Sequence, residues 1–219
     1  MSKYRSVILI IFVIIVFCSQ LFAVEYEVGP EDDMDAVISR LKAGDVLNVA
    51  EGIYANGWTI SGIKGTKDNP IIIRGSFSLR EIDTQQPNNA TTQQPLSIIR
   101  PQNNRDGILF YGNGGSEYVI IENLKIEGAS RAGIVINGSS NITIRDCVLA
   151  NNGFWGIQTC LSDGISVEDC EIYGSQKEHG IYLSTTDHPL VRRCRIYSNH
   201  FCGIQMNGDE NEGRDGMIS

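Results

Sequence analysis

Few recognised catalytic signatures occur in this sequence. There is no P-loop, no dinucleotide-binding glycine pattern and no serine nucleophile elbow. The six cysteines include no CxxC pair, which removes a common signature of zinc binding. Positive charge is also scarce, with 18 Lys and Arg against 26 Asp and Glu and a formal net charge of −8. Nucleic-acid partners call for a basic footprint, so that class is excluded. The same deficit gives no general steering towards acidic polysaccharides; a local positive strip would have to act against the global field. Aromatic residues make up only 8% of the 219 residues, yet the length suffices for one domain with its own core.

One segment differs in kind. Lys3 and Arg5 precede an apolar run from Val7 to Phe17, and Ala23 offers a cleavage point with an imperfect Leu21 at the third position back. Residues 1–23 resemble a secretory signal peptide, and extension through Leu21–Val24 leaves an uncleaved anchor as the alternative. Beyond that anchor no stable membrane partner is expected. The address implied is secreted, periplasmic or cell surface. Removing the leader takes away two positive charges and moves the net charge to −10.

The rest of the chain is a repeat. VIIENLKIEG from Val119, ITIRDCVLAN from Ile142, ISVEDCEIYG from Ile165 and PLVRRCRIYSN from Pro189 align. A second block, AGIVIN, WGIQTC, HGIYLS and CGIQMN, follows each; its Gly133, Gly156, Gly180 and Gly203 are spaced 23, 24 and 23. Short alternating apolar runs at this period predict a solenoid, not a sandwich. Residues 25–50 are expected to form an N-terminal cap. In it, Met34, Val37, Ile38 and Leu41 share one face of a helix over Pro30–Leu41, with Glu31, Asp32, Asp33 and Asp35 at its start. Residues 51–118 are expected to form irregular early rungs and 119–207 the regular ones. The polar stretch 76–97, with Pro87 and Pro95, reads as a protruding loop; Asp106–Phe110 reads as a displaced copy of the glycine block. Asn89, Asn137 and Asn141 begin glycosylation-type tripeptides.

Stacked parallel rungs turn matching positions into ladders. Ile121, Ile144, Val167 and Val191 form one inward ladder. Ile126, Leu149, Ile172 and Ile196 form a second, and Ile134, Ile157, Ile181 and Ile204 a third. Leu124 heads a fourth with Cys147, Cys170 and Cys194, which marks the cysteines as core thiols, with one inter-rung disulfide as the alternative. Glu122, Arg145, Glu168 and Arg192 form an outward ladder of alternating charge, a structural role. Asn123, Asp146 and Asp169 sit beside it at a turn where such residues bond their own backbone, and Arg193 breaks the series.

AGDVLNVAEGIY (Ala43–Tyr54), NPIIIRG (Asn69–Gly75) and the repeated glycine and cysteine rungs resemble the right-handed parallel β-helix superfamily, including its pectate-lyase-like and chondroitinase-B-like members. The resemblance runs from about Glu25 to the C-terminus and implies an all-β solenoid. It also implies a polysaccharide partner, with uronate lyase or epimerase activity among the alternatives. Others are glycoside hydrolysis and a non-catalytic carbohydrate-binding or surface-structural role.

A uronate lyase or epimerase needs a base beside the acidic carbon and a cation, calcium or Arg/Lys, at the carboxylate. The rung around Lys177-Glu178-His179 departs most from its neighbours, which assigns His179 or Lys177 as base and Tyr182 as acid or binding group. Trp155, Gln158 and Gln205 would form the sugar platform, with Glu178 beside them; the alternative is a solvent-facing turn. A glycosidase would need two opposed carboxylates, and Glu178 with Asp163 or Asp187 matches ladder positions poorly. No metal ligands are assigned. Calcium would have to use the acidic tail Asp209, Glu210, Glu212 and Asp215, whose spacing fits no calcium loop. Residues 208–219 complete no further rung, so the sequence is expected to be part of a longer β-helix.

Overall fold

The computed structural model describes residues 23–79, 93–102, 105–112 and 114–208. Residues 1–22 of the leader-like segment, the tail 209–219 and Asn89 lie outside the described residues. About seven turns of parallel strand stack into a three-sided solenoid with almost no helix. One face carries Glu25–Val28, Val46–Val49, Ile71–Gly75, Glu117–Glu122, Ser140–Arg145, Ser166–Glu168 and Leu190–Arg192. The second carries Gly52–Tyr54, Ser97–Ile99, Leu124–Glu127, Val148–Ala150, Glu171–Tyr173 and Arg195–Tyr197. The third carries Trp58–Ile60, Ile108–Phe110, Ala132–Asn137, Trp155–Asp163, Ile181–Asp187 and Ile204–Asn207.

The apolar ladders are in the register that the period predicts. Ile121 pairs Ile144, which pairs Val167, which pairs Val191. Ile126, Leu149, Ile172 and Ile196 pair in the same way, as do Ile134, Ile157, Ile181 and Ile204. Each ladder also extends to early rungs: Tyr54 and Ile99 precede Ile126, while Trp58 and Ile108 precede Ile134. The irregularity of 51–118 therefore lies in its connections rather than in its strand register. Tyr54 and Trp58 meet edge to face at 5.4 Å inside the core. The expected loop at 76–97 begins as an antiparallel arm, Phe77–Leu79 against Gln93–Pro95, and residues 80–92 lie outside the described residues.

The first and second faces meet at a one-residue corner. Asn123, Asp146, Asp169 and Arg193 all have positive φ there, between 52° and 57°. Asn and Asp suit this corner because they tolerate the left-handed conformation. Arg193 adopts it too, and its guanidinium meets Asp169 one rung earlier at 2.6 Å through both Nε and Nη2. The charge ladder beside the corner has an extra member. Arg74 and Arg145 both pair with Glu122, whose side chain is 6% exposed, and Arg192 pairs with Glu168 at 2.5 Å.

Cys147 and Cys170 are buried and Cys194 is half-buried; all three are free thiols. The helix is shorter than its sequence pattern, Met34–Ile38 instead of Pro30–Leu41. Before it, Asp32 accepts from the Gly29 N–H and Asp33 caps Ala36; after it, Arg40 and Leu41 reach back only three residues to the Val37 and Ile38 carbonyls. Met34, Ile38 and Leu41 join the core. Among the described residues, no helix is long and apolar enough to cross a membrane.

Candidate functional site

Alternation along Trp155–Asp163, Ile181–Asp187 and Ile204–Asn207 turns Ile157, Ile181 and Ile204 towards the solenoid interior and the intervening positions outward. Parallel register then stacks Val135, Gln158, Tyr182 and Gln205 as one outward row. Asn137, Cys160, Ser184 and Asn207 form the next. The corner before each glycine supplies the remaining groups. Gly156 and Gly180 must be glycine here, since a Cβ on either would stand 2.7 Å from the carbonyl of the matching glycine on the next rung.

A concavity of about 430 Å³ opens on this face, lined by Trp155, Glu178, His179, Tyr182, Phe201, Gln205 and Asn207. Trp155 and Tyr182 stack with centroids 5.7 Å apart and planes inclined by 16°. His179 lies 5.9 Å from the Tyr182 ring and 6.0 Å from Phe201. Its Nδ1 accepts the Cys202 backbone N–H at 3.2 Å, and its Nε2 faces Glu178 Oε2 at 3.3 Å. Gln205 donates to Asn207 at 2.8 Å, and Asn207 donates to the Tyr182 hydroxyl at 3.0 Å, leaving the Tyr182 proton available to a ligand. The site thus offers an aromatic face, amide and phenol hydrogen-bonding groups, and one carboxylate.

Five of the seven residues assigned from sequence meet here: Trp155, Glu178, His179, Tyr182 and Gln205. Lys177 does not line this concavity; its ammonium lies over the Phe154 ring, 4.7 Å from the centroid, because the half-buried aromatic face attracts a cation. Gln158 belongs to a neighbouring concavity of about 320 Å³ with Leu109, Tyr111, Arg131, Val135, Asn137 and Cys160. It is one rung below Tyr182 and faces Val135 on its other side. Phe201 and Asn207 were missed. Phe201 had a sequence signal, since it stands two residues before Gly203 as Phe154 stands two before Gly156.

These residues do not fit a calcium site. Among the described residues, Glu178 is the one carboxylate that lines the concavity and is engaged by His179, and no group of three or more His, Cys, Asp or Glu could hold a metal. The proposed acidic ligands of the tail lie outside the described residues. Asp163, offered as a glycosidase carboxylate, instead meets His188 Nδ1 at 2.9 Å.

Three-sided parallel rungs stacked on continuous apolar ladders define a β-helix protein. Residues 99–214, more than half of the chain, match the family described as right handed beta helix region, and the chain belongs to that family. No curated protein sequence matches it. Among solved structures it is similar to the pectate lyase Pel9A, with TM-score 0.63 and 14% identity over 84% of this chain and 50% of that one. It is also similar to an alginate lyase from Paenibacillus sp. str. FPU-7, with TM-score 0.55 and 17% identity over 84% of this chain and 58% of that one. The A-module of the Azotobacter vinelandii mannuronan C-5 epimerase AlgE4 gives 0.50 and 19%, over 83% and 49%. At these identities the likeness is one of fold, and the chain spans about half the length of these structures.

Proposed function

We propose that this chain is an extracytoplasmic β-helix protein that binds polysaccharide on its third face. The observation that carries this reading is the stacked Trp155–Tyr182 pair inside an open concavity ringed by Gln205, Asn207 and Glu178. An aromatic face takes the C–H side of a sugar ring, while amide, phenol and carboxylate groups select its hydroxyls. The leader-like residues 1–23 support the address. Affinity electrophoresis through gels of different polysaccharides tests the reading. Retardation by at least one polymer, lost in Trp155→Ala, is expected; equal mobility in every gel would sink it.

A second reading, a uronate lyase or epimerase, is favoured by the grouping of His179, Glu178 and Tyr182. In it His179 is the base, once its Nδ1 is released from the Cys202 N–H, and Tyr182 is the acid. The cation such chemistry needs at the uronate carboxylate would have to come from Lys177 after it leaves Phe154. Release of unsaturated product, or exchange of the sugar's acidic proton with solvent, would establish this activity, and His179→Ala would abolish it. Hydrolysis by paired carboxylates has less support, with Glu178 the one carboxylate among the described residues that line the concavity.

The short helix Met34–Ile38 serves in this reading as a cover for the N-terminal end of the core. Ile38→Asp, which places a charge at a fully buried position, should then lower the thermal midpoint well below that of an exposed control such as Ser39→Asp.

A further inference from the structure

The two concavities on the third face are neighbours. Gln158 lines one and Tyr182 the other, and these residues are register partners on adjacent strands. The row Val135, Gln158, Tyr182, Gln205 takes three rung steps of about 4.8 Å each, so it runs roughly 14 Å along the solenoid axis. That length suits an oligosaccharide segment rather than a single sugar.

The charge along this groove is informative. Among the described residues, its upper part is lined by Glu178 and His179 and by no Lys or Arg. The nearby ammonium of Lys177 is turned onto Phe154. The lower part holds one cation, Arg131, and that guanidinium is bound by Asp106 through both Nε and Nη2. Asp106 is 7% exposed and also accepts the Ala132 N–H, so the pair is built into the wall. Among the described residues, the one Lys or Arg that lines the two concavities, Arg131, thus has an acidic partner. The rest of the described lining is apolar or neutral, with Leu109 and Val135 on the lower part and Gln158, Gln205 and Asn207 as its amides beside Asn137.

Resting on the polysaccharide-binding reading above, we infer that this groove selects an uncharged glycan, spanning both concavities, over a uronate polymer. A uronate would bring a carboxylate towards Glu178 while, among the described residues, the Arg131 guanidinium is held by Asp106 and the Lys177 ammonium is turned onto Phe154, in a chain whose net charge is already −8. A neutral pyranose gives up nothing to that field. Its apolar face meets Trp155 and Tyr182, and its hydroxyls meet Gln205, Asn207 and the Tyr182 proton.

The test is calorimetric titration of the full chain at low salt. The probes are oligosaccharides of matched length from neutral polymers (β-glucan, xylan, mannan, galactan) and from uronate polymers (polygalacturonate, alginate). At least one neutral series should bind about tenfold or more tighter than either uronate series. Its affinity should fall in Trp155→Ala. Lengthening the neutral ligand from two sugars to four should raise affinity, and Tyr111→Ala should remove that gain. Glu178→Gln should narrow the gap between neutral and uronate ligands. Tighter Trp155-dependent binding of a uronate series would overturn the inference and leave the binding reading standing. Absence of binding by both series, or binding indifferent to Trp155→Ala, would overturn both.

Discussion

Trp155 and Tyr182 stand on adjacent rungs, 27 residues apart in the chain, with their rings stacked 5.7 Å between centroids. One ring packs against the other, so each holds its neighbour's orientation for a ligand. Trp155→Ala should weaken glycan binding by roughly 1–2 kcal/mol, about tenfold or more. Tyr182→Phe keeps the aromatic face and loses the hydroxyl that Asn207 bonds. It should cost about 1 kcal/mol of affinity, measured by the same titration, with stability unchanged.

Glu122 is an anchor of the solenoid surface. Its side chain is 6% exposed and receives both Arg74 and Arg145. Glu122→Ala should lower unfolding free energy by roughly 2 kcal/mol, because two partly covered guanidiniums lose their shared partner. Arg192→Ala removes a more exposed member of the same ladder, with a side chain 49% accessible. It should cost no more than about 1 kcal/mol in the same denaturant titration.

The glycine ladder makes a sharper contrast. A Cβ at Gly180 would stand 2.7 Å from Asn199 Nδ2, from the Gly203 carbonyl and from Ile196 Cγ2. Gly180→Ala should therefore destabilise by roughly 2–3 kcal/mol. At Gly203 the nearest atom is Ile196 Cγ2 at 3.3 Å, and Gly203→Ala should cost less than about 1 kcal/mol. Similar thermal midpoints for the two variants would contradict the inter-rung contact.

Asp146 sits at the left-handed corner with φ 52°. Partial desolvation, and then the adjacent Asp169, raise its carboxyl above the usual range despite Arg145. A carboxyl raised by folding contributes stability below its unfolded pKa of about 3.9 and loses that contribution as pH rises through the folded value. Asp146→Asn removes the charge and keeps a residue suited to the corner, as Asn123 already is one rung earlier. It should gain about 0.5 kcal/mol at neutral pH, and the gain should vanish in acid. Thermal midpoints at both pH values check the sign.

The thiols should react in order of exposure. Cys202 is exposed, whereas Cys147 and Cys170 are buried and Cys170 is pushed well up, first by its hydrogen bond with Cys147. An aromatic disulfide reagent should label Cys202 within the native state and reach Cys147 and Cys170 only on unfolding. Fast native labelling of Cys170 would contradict the core assignment.

Most of the core was legible in the sequence. A period of 23 or 24 residues specifies which side chains stack, and one face of each strand must leave water, so the isoleucine ladders and the core thiols follow. The corner residues were recognised as turn formers for an incomplete reason. Their common property is the left-handed backbone rather than a bond to their own main chain, and the Asn123 Oδ1 is buried without a partner among the described residues. The short helix was overextended because an amphipathic pattern does not show which acidic side chains are already engaged in the preceding loop.

For the site, the sequence by itself determined the rung and the row. Trp155, Glu178, His179, Tyr182 and Gln205 are placed together by ladder arithmetic, since Tyr182 and Gln205 are register partners and Trp155 and His179 each stand directly before the glycine of adjacent rungs. Tertiary structure alone decided the directions of side chains at the corners and the partners across insertions. Lys177 turns to Phe154, Arg131 to Asp106, and Arg74 to Glu122 48 residues away. A repeat period carries the height of a residue along the axis, but the course of a long side chain depends on which opposite charge or ring the adjacent rung presents.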